Sequence, residues 1–341
     1  MKFLKIFLIV FIVALLAFYI KNPASNYYVI TGETMGSYYT IKINTSRENN
    51  ILGKQIKEEL ESINQRISIF DNNSELSKIN QAGAGVWIPV SDELAELFKI
   101  TKKIYDMTGG AFDPTMGKVI DLWGFGNTKR LTAPTDEQIA HALKSSGFNK
   151  LEFSDDFKQV KKLNADITIN LSAIIKGYSV DRVCELLEKE GYTDFIVDIG
   201  GELRAAGQRS DTAAGWNIGV ADPQTKANVF VVSLIDSAAA TSGDYENFYE
   251  VDGKKYSHTI SPLTGRPVQS SIASVTIFRE DCATADGLAT ALQAMGDKKA
   301  IDFANRNNVQ TVIFMRTDND TLSSTISDSA KKLVSGKNVS N

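Results

Sequence analysis

The chain has 341 residues, 43% of them hydrophobic and 23% charged, enough apolar content to bury a large core and too much for intrinsic disorder. Its formal net charge of −4, with no arginine-rich run or RNA-binding motif, excludes a basic surface for a nucleic-acid backbone. Cys184 and Cys282 lie far apart in sequence and read as two separate small buried side chains, with a single bridge as the alternative, so cysteine does not fix the compartment.

The N-terminus does carry a compartment signal. Lys2 and Lys5 precede an apolar run from Ile6 to Ile20, which Lys21, Asn22 and Pro23 close. The run is slightly short of the ~20 residues of a spanning helix, but Phe3 and Leu4 extend it across Lys5. Positive charge ahead of the run keeps the N-terminus in the cytoplasm and puts the body on the extracytoplasmic, periplasmic side of the inner membrane. A cleaved signal peptide shares the pattern. No small-x-small site stands near Pro23-Ala24-Ser25, and no cysteine follows the run to accept a lipid. Residues 1–22 are therefore read as an uncleaved anchor, with a cleaved signal segment as the alternative, 23–27 as a polar linker, 28–331 as one domain and 332–341 as a polar tail.

Along the body, Tyr28 to Ile43 alternates as strands broken by a turn at Thr34-Met35-Gly36-Ser37. Leu52, Ile56, Leu60, Ile63 and Ile67 make one apolar stripe of a helix over 51–70. Ser91 caps a second helix, stopped at Gly109-Gly110. Thr135 and Gln138 form a capping box for a third, ending near Gly147. A fourth is expected over 174–190. Phe195 to Asp198 reads as a buried strand leading into Gly200-Gly201. Further strands are expected at 216–221, 229–235, 272–278 and 310–315, with helices over 284–295 and 297–307. Strands and helices interleave without a strict βαβ rhythm, and no GxGxxG follows a first strand. The expected class is α+β, sandwich-like, with a mixed sheet and packed helices, not a doubly wound Rossmann sheet.

The chemistry-bearing segments are loops rich in Gly, Asp, Ser and Thr, which expose backbone and suit a phosphate-bearing ligand. Asp286 and Thr290 stand four apart on a helix and share a face. Carboxylate and hydroxyl are hard oxygen ligands suited to Mg²⁺, although a first-turn Asp on the helix dipole beside a packed Thr reads equally well from spacing. His258, one of 2 histidines, lies in Tyr256-Ser257-His258-Thr259-Ile260-Ser261-Pro262. It is either a proton acceptor for an attacking hydroxyl or a hydrogen-bonded loop residue.

Taken in order, the motifs resemble those of the ApbE family of FAD:protein FMN transferases. They are Thr34-Met35-Gly36-Ser37, Ile69-Phe70-Asp71, Gly109-Gly110-Ala111-Phe112-Asp113-Pro114, Leu122-Trp123-Gly124-Phe125-Gly126, Leu171-Ser172-Ala173-Ile174-Ile175-Lys176-Gly177, Asp198-Ile199-Gly200-Gly201, Thr241-Ser242-Gly243-Asp244-Tyr245, Ser257-His258 with Pro262-Leu263-Thr264-Gly265, and Ala285-Asp286 with Thr290. The match runs from about Tyr28 to Met315. The resemblance implies a Mg²⁺ site at Asp286, Thr290 and the carbonyl of Ala173. It implies contacts to the substrate FAD from Met35, Phe70, Ala111, Phe112, Asp113, Asn170, Lys176 and the stretch from His258 to Ile260. Family members often carry Tyr where this chain has Phe70, Asp where it has Asn170, and Asp where it has Ser261. Phe70 still stacks on a flat ring without a hydroxyl, Asn170 removes a charge near the metal, and Ser261 removes a carboxylate partner for His258.

The implied reaction is phosphoryl transfer. A Thr or Ser hydroxyl of an acceptor protein attacks the FMN-side phosphorus of FAD, and AMP leaves. Lys176 is expected to help neutralise phosphate charge, His258 is the expected base and Asp244 the next choice. Expected acceptors are flavin-bearing subunits of membrane redox pumps or extracytoplasmic reductases. The rival readings are a Mg²⁺-dependent FAD pyrophosphatase, with water as acceptor, and a non-catalytic flavin-binding envelope protein.

Overall fold

A computed structural model describes residues 27–126, 132–209, 215–243, 248–251, 254–319 and 321–334. The strands are β1 (Tyr27–Thr34), β2 (Ser37–Asn44), β3 (Trp87–Pro89), β4 (Leu151–Phe153), β5 (Gln159–Lys162), β6 (Phe195–Ile199), β7 (Glu202–Ala206), β8 (Trp216–Ala221), β9 (Asn228–Leu234), β10 (Ser237–Gly243), β11 (Phe248–Val251), β12 (Lys254–Ser257), β13 (Ile272–Arg279), β14 (Gln310–Arg316) and β15 (Leu322–Ile326). The α-helices are α1 (Asn50–Ile67), α2 (Glu75–Gln81), α3 (Asp92–Thr108), α4 (Gly117–Leu122), α5 (Asp136–Lys144), α6 (Ile175–Lys189), α7 (Cys282–Met295), α8 (Asp297–Arg306) and α9 (Lys331–Val334).

The main sheet has the order β1-β2-β6-β7-β10-β13-β14-β15. The α+β class holds, but every neighbouring pair in this sheet is antiparallel, where a mixed sheet was expected. The reason is local: tight turns join β1 to β2 and β6 to β7 directly, and a hairpin needs no crossover helix. Period-two alternation splits the sheet's side chains between two cores. Ile41, Ile43, Ala238, Ala240, Val275 and Ile277 face the larger one, under α1, α3, α6, α7 and α8. Ala239, Phe278, Val312 and Phe314 face the smaller one, under the β8–β9 hairpin and α9. On α1, Leu52, Ile56, Leu60, Ile63 and Ile67 are all buried, each contributing roughly 1.5–3 kcal/mol of apolar transfer.

Two helix ends differ from expectation. α1 stops at Ile67, because Ser68 turns extended (φ −63°, ψ 124°), and this brings Ile69, still packed on the core, and the exposed Phe70 to a cleft. α5 stops at Lys144, short of Gly147. The capping box of Thr135 and Gln138 forms as expected. β10 was not anticipated: Ser237–Gly243 reads SAAATSG, which has weak strand propensity. Its small side chains let α7 lie close on the sheet. α9 begins one residue before the expected tail, and its Val334 is buried. Among the described residues no helix is long and apolar enough to cross a membrane. The expected anchor, residues 1–22, lies outside the described residues, and so does the linker up to residue 26.

Candidate active site

Pairing of Thr34 with Ser37, Ile199 with Glu202, and Gly243 with Ser274 puts the β1–β2 turn, the β6–β7 turn and the end of β10 at one edge of the sheet. There a cleft of about 640 Å³ opens between the sheet, the first turn of α6, α7 and the loop after β12. That volume suits a ligand of cofactor size. Gly200 and Gly201, both at positive φ (60° and 94°), make the β6–β7 turn and present bare backbone to the cleft. A Cβ on Gly200 would meet Ser37 Oγ at 2.6 Å.

Asp286, on α7, lies at the cleft's inner end and is 5% exposed. One carboxylate oxygen accepts the Gly177 N–H at 3.0 Å. Thr290, one turn on, shares a hydrogen bond of 3.1 Å with the Ser242 hydroxyl, and Ala173 lines the same end ahead of α6. Lys176 reaches in from α6, but its ammonium donates to Glu202 at 2.7 Å. Burial pulls the Lys176 pKa down, and Glu202 and Asp286 outweigh it to leave a net rise. Burial, then the charge of Asp286, pushes Glu202 up to about 8 against the pull of Lys176. Burial likewise raises Asp286 to about 6, opposed by Lys176 and the Gly177 amide.

This donor set fits a divalent cation. Two buried carboxylates face one ammonium, and their crowding in a poorly solvated place raises the pKa of both, a cost that a cation among them would relieve; the available atoms are hard oxygens. Among the described residues no three His, Cys, Asp or Glu side chains converge as a metal cluster. The set rests on one carboxylate with hydroxyl and carbonyl oxygens, which leaves most of a Mg²⁺ shell to water and phosphate.

Most of the other expected residues line the same cleft: Phe70, Ala111, Phe112, Asp113, Asn170, His258 and Ile260. Phe70 is 73% exposed at its mouth, offering a ring face. Asp113 is occupied by donors from its own loop and from Phe148. It accepts the Thr115 hydroxyl at 2.6 Å, the Thr115 amide at 2.8 Å and the Phe148 amide at 3.3 Å. Burial nonetheless raises its pKa over these opposing hydrogen bonds. Asn170 Oδ1 accepts the Ser172 N–H at 2.9 Å and shapes the entry to α6. Met35 is not among the cleft-lining residues. It sits in the β1–β2 turn at φ 50°, with its sulfur accepting the Ser179 hydroxyl at 3.6 Å. Asp244 lies outside the described residues. His141 is exposed on α5, in a separate depression with Lys118 and Glu137. The two cysteines are free and buried.

The model of the ApbE family matches residues 35–314. The chain belongs to the ApbE family. Membership makes it an enzyme of the transferase class. It is 34% identical to the FAD:protein FMN transferase of Vibrio cholerae serotype O1 over 304 residues, 87% of this chain and 90% of that protein. The protein of the same name from Haemophilus influenzae is 34% identical over 319 residues, 90% of this chain and 92% of that protein. The solved flavin transferase ApbE from Vibrio cholerae superposes with a TM-score of 0.82 at 33% identity, covering 90% of this chain and 99% of that one. The Pseudomonas stutzeri flavinyl transferase ApbE, in its apo form, gives 0.83 at 30% identity, covering 91% and 98%.

In this ApbE-family cleft, Glu202 and Ser242 are functional candidates to which the sequence reading assigned no role, although Ser242 stands in a motif it singled out. Glu202 follows Gly200-Gly201 at the head of β7, where it is buried and shares a face with Arg204, which pairs with Asp181 on α6. A carboxylate at an inward strand position is the signal that marks it.

Proposed function

We propose that the chain is a Mg²⁺-dependent FAD:protein FMN transferase that esterifies a Thr or Ser hydroxyl of an acceptor protein. The observation that carries this reading is that one cleft gathers the hard-oxygen set of Asp286 and Thr290 with His258 and an exposed aromatic ring at Phe70. Mg²⁺, when bound by Asp286, Thr290 and the Ala173 carbonyl, supplies charge neutralisation at the FAD pyrophosphate. Phe70 stacks on the isoalloxazine ring. Lys176, tied to Glu202, holds its ammonium beside the buried carboxylates instead of offering it as a free phosphate clamp. His258 accepts the proton of the acceptor hydroxyl. The hydroxyl oxygen bonds to the FMN-side phosphorus, the bond from that phosphorus to the bridging oxygen breaks, and AMP departs with that oxygen. The products are a phosphodiester-linked flavin and AMP.

The test is mass spectrometry of candidate acceptor peptides after incubation with FAD and Mg²⁺. A gain equal to FMN minus water supports the proposal. AMP released at full rate without acceptor, and no gain in mass, marks a pyrophosphatase; intact FAD marks a flavin-binding protein.

The apolar run from Ile6 to Ile20 behind Lys2 and Lys5 supports anchoring in the inner membrane with the body on the periplasmic face. Acceptors there are flavin-bearing subunits of membrane redox pumps or extracytoplasmic reductases. Protease added to spheroplasts should digest the body; protection would reverse the orientation.

A further inference from the structure

Two motifs carry no role in the reaction as proposed, Leu122-Trp123-Gly124-Phe125-Gly126 and Pro262-Leu263-Thr264-Gly265. In the fold they meet. Trp123, at the end of α4 and 3% exposed, donates its indole N–H to the Gly265 carbonyl at 2.7 Å, a bond between residues 142 positions apart. A buried indole N–H needs such a partner.

The segment that receives this bond is a closed turn. Ile260 bridges antiparallel to Pro267. Ser261 N–H donates to the Arg266 carbonyl at 2.9 Å, Gly265 N–H to the Ser261 carbonyl at 2.8 Å, and Val268 N–H to the Thr259 carbonyl at 2.9 Å. The turn is seated on α5 at Gly265, whose φ is +65° and where a Cβ would meet Ile139 Cγ2 at 2.8 Å and Leu143 at 3.0 Å. Arg266 pairs with Asp136 at 2.5 Å. Ile260, 8% exposed, completes a small core with Met116, Val119, Trp123, Ile139 and Ala142, separate from the two cores of the sheet. His258 stands two residues before Ile260, and the Phe125 ring meets its imidazole edge-on, with centroids 6.4 Å apart at 71°.

We infer that Trp123 is a positioning residue for His258. Through the Gly265 carbonyl and the small core it fixes the turn that aims the imidazole into the cleft, and the two motifs form one device. The inference rests on the proposed role of His258 as base. Its physical content is that the imidazole is located by α4 and α5, which pack away from the main sheet, so its aim changes when that small core changes.

The experiment uses the full chain labelled with ¹³C-histidine. With 2 histidines in the sequence, each imidazole signal is assigned by one substitution, and His141, exposed on α5, is the internal control. Trp123→Phe keeps an aromatic ring and removes the donor. It should shift or broaden the His258 signal and leave that of His141 in place. Gly265→Ala, which presses the turn off α5 from the other side, should do the same in case Trp123→Phe folds poorly. A His258 signal unmoved in both variants overturns the inference. The kinetic arm is a double-mutant cycle on AMP release from FAD with Mg²⁺ and acceptor. Trp123→Phe should lower turnover on the order of 10- to 100-fold, with KM for FAD unchanged, and should add nothing in a His258→Asn background. An equal penalty in both backgrounds would show that Trp123 acts independently of His258 and sink the inference. A wild-type chain that releases no AMP fails the functional proposal instead, and the imidazole signal alone then decides whether Trp123 positions the turn.

Discussion

The two walls of the cleft are held by different means. Asp286, Glu202 and Lys176 stand where α6, α7 and β7 pack together against the larger core. Each is fixed by a short polar contact inside that core: Gly177 N–H to Asp286 at 3.0 Å and Lys176 to Glu202 at 2.7 Å. His258 rides instead on a turn fastened to a small core that α4 and α5 make apart from the main sheet. On the first wall the chemistry is altered only by changing the reacting groups themselves. On the second it is altered by repacking residues that never touch substrate. The wall proposed to bind the cation is thus held within the larger core, and the wall proposed to move a proton depends on a separate, smaller unit.

The most severe way to break the first wall is Asp286→Ala. FMN transfer should fall on the order of 10³-fold or more, read as flavin mass on the acceptor. Mg²⁺ should also cease to raise the melting temperature of the free protein; normal transfer at limiting Mg²⁺ would refute the assignment. On the second wall, His258→Asn should lower turnover about 10²–10⁴-fold with the FAD dissociation constant, followed by flavin fluorescence, unchanged. Weaker FAD binding at normal turnover would make His258 a ligand contact and move the search for the base to Asp244.

A milder test uses pH. The folded-state pKa of Glu202, about 8, lies above its ordinary value of 4.5. The folded protein therefore holds a proton that the unfolded chain releases. The stabilising contribution is complete below about pH 4.5 and is lost as pH rises through about 8. Without divalent cation, melting temperature should fall between pH 5 and 8, and Glu202→Gln should flatten that slope. An unchanged slope in the variant would remove Glu202 as its source. The smallest effect is expected at Thr290→Ala. The Mg²⁺ concentration for half-maximal rate should rise by less than about tenfold, because water replaces a neutral hydroxyl in the shell.

Much of the architecture was legible wherever one residue pattern decides one element. The α1 stripe, the Ser91 and Thr135 caps and the strand at Phe195 all stand as the spacing indicated. β10 was not legible, because Ala238 and Ala240 answer to the closeness of α7, and Ala239 to the smaller core behind the sheet, rather than to strand propensity. The site followed the same division. Asp286 and Thr290 share a helix face, so sequence spacing brings them together. Glu202 meets Lys176 only through the pairing of β6 with β7 and the packing of α6 on them, contacts that no local pattern encodes. The link between Trp123 and Gly265 spans 142 positions and was equally hidden.

Gly177 has a consequence for how the site opens. A Cβ there would meet the Cys282 carbonyl oxygen at 2.3 Å and Asp286 Cβ at 2.8 Å, so α6 and α7 touch at that point backbone to backbone. An amide in the first turn of a helix ordinarily has no intrahelical partner and trades its hydrogen with solvent quickly. The Gly177 amide instead ends on the Asp286 carboxylate between two helices of the larger core. Deuterium should therefore enter at Gly177 only when the helices part, at the rate of global unfolding. That single amide would report on whether α6 and α7 stay packed around Asp286.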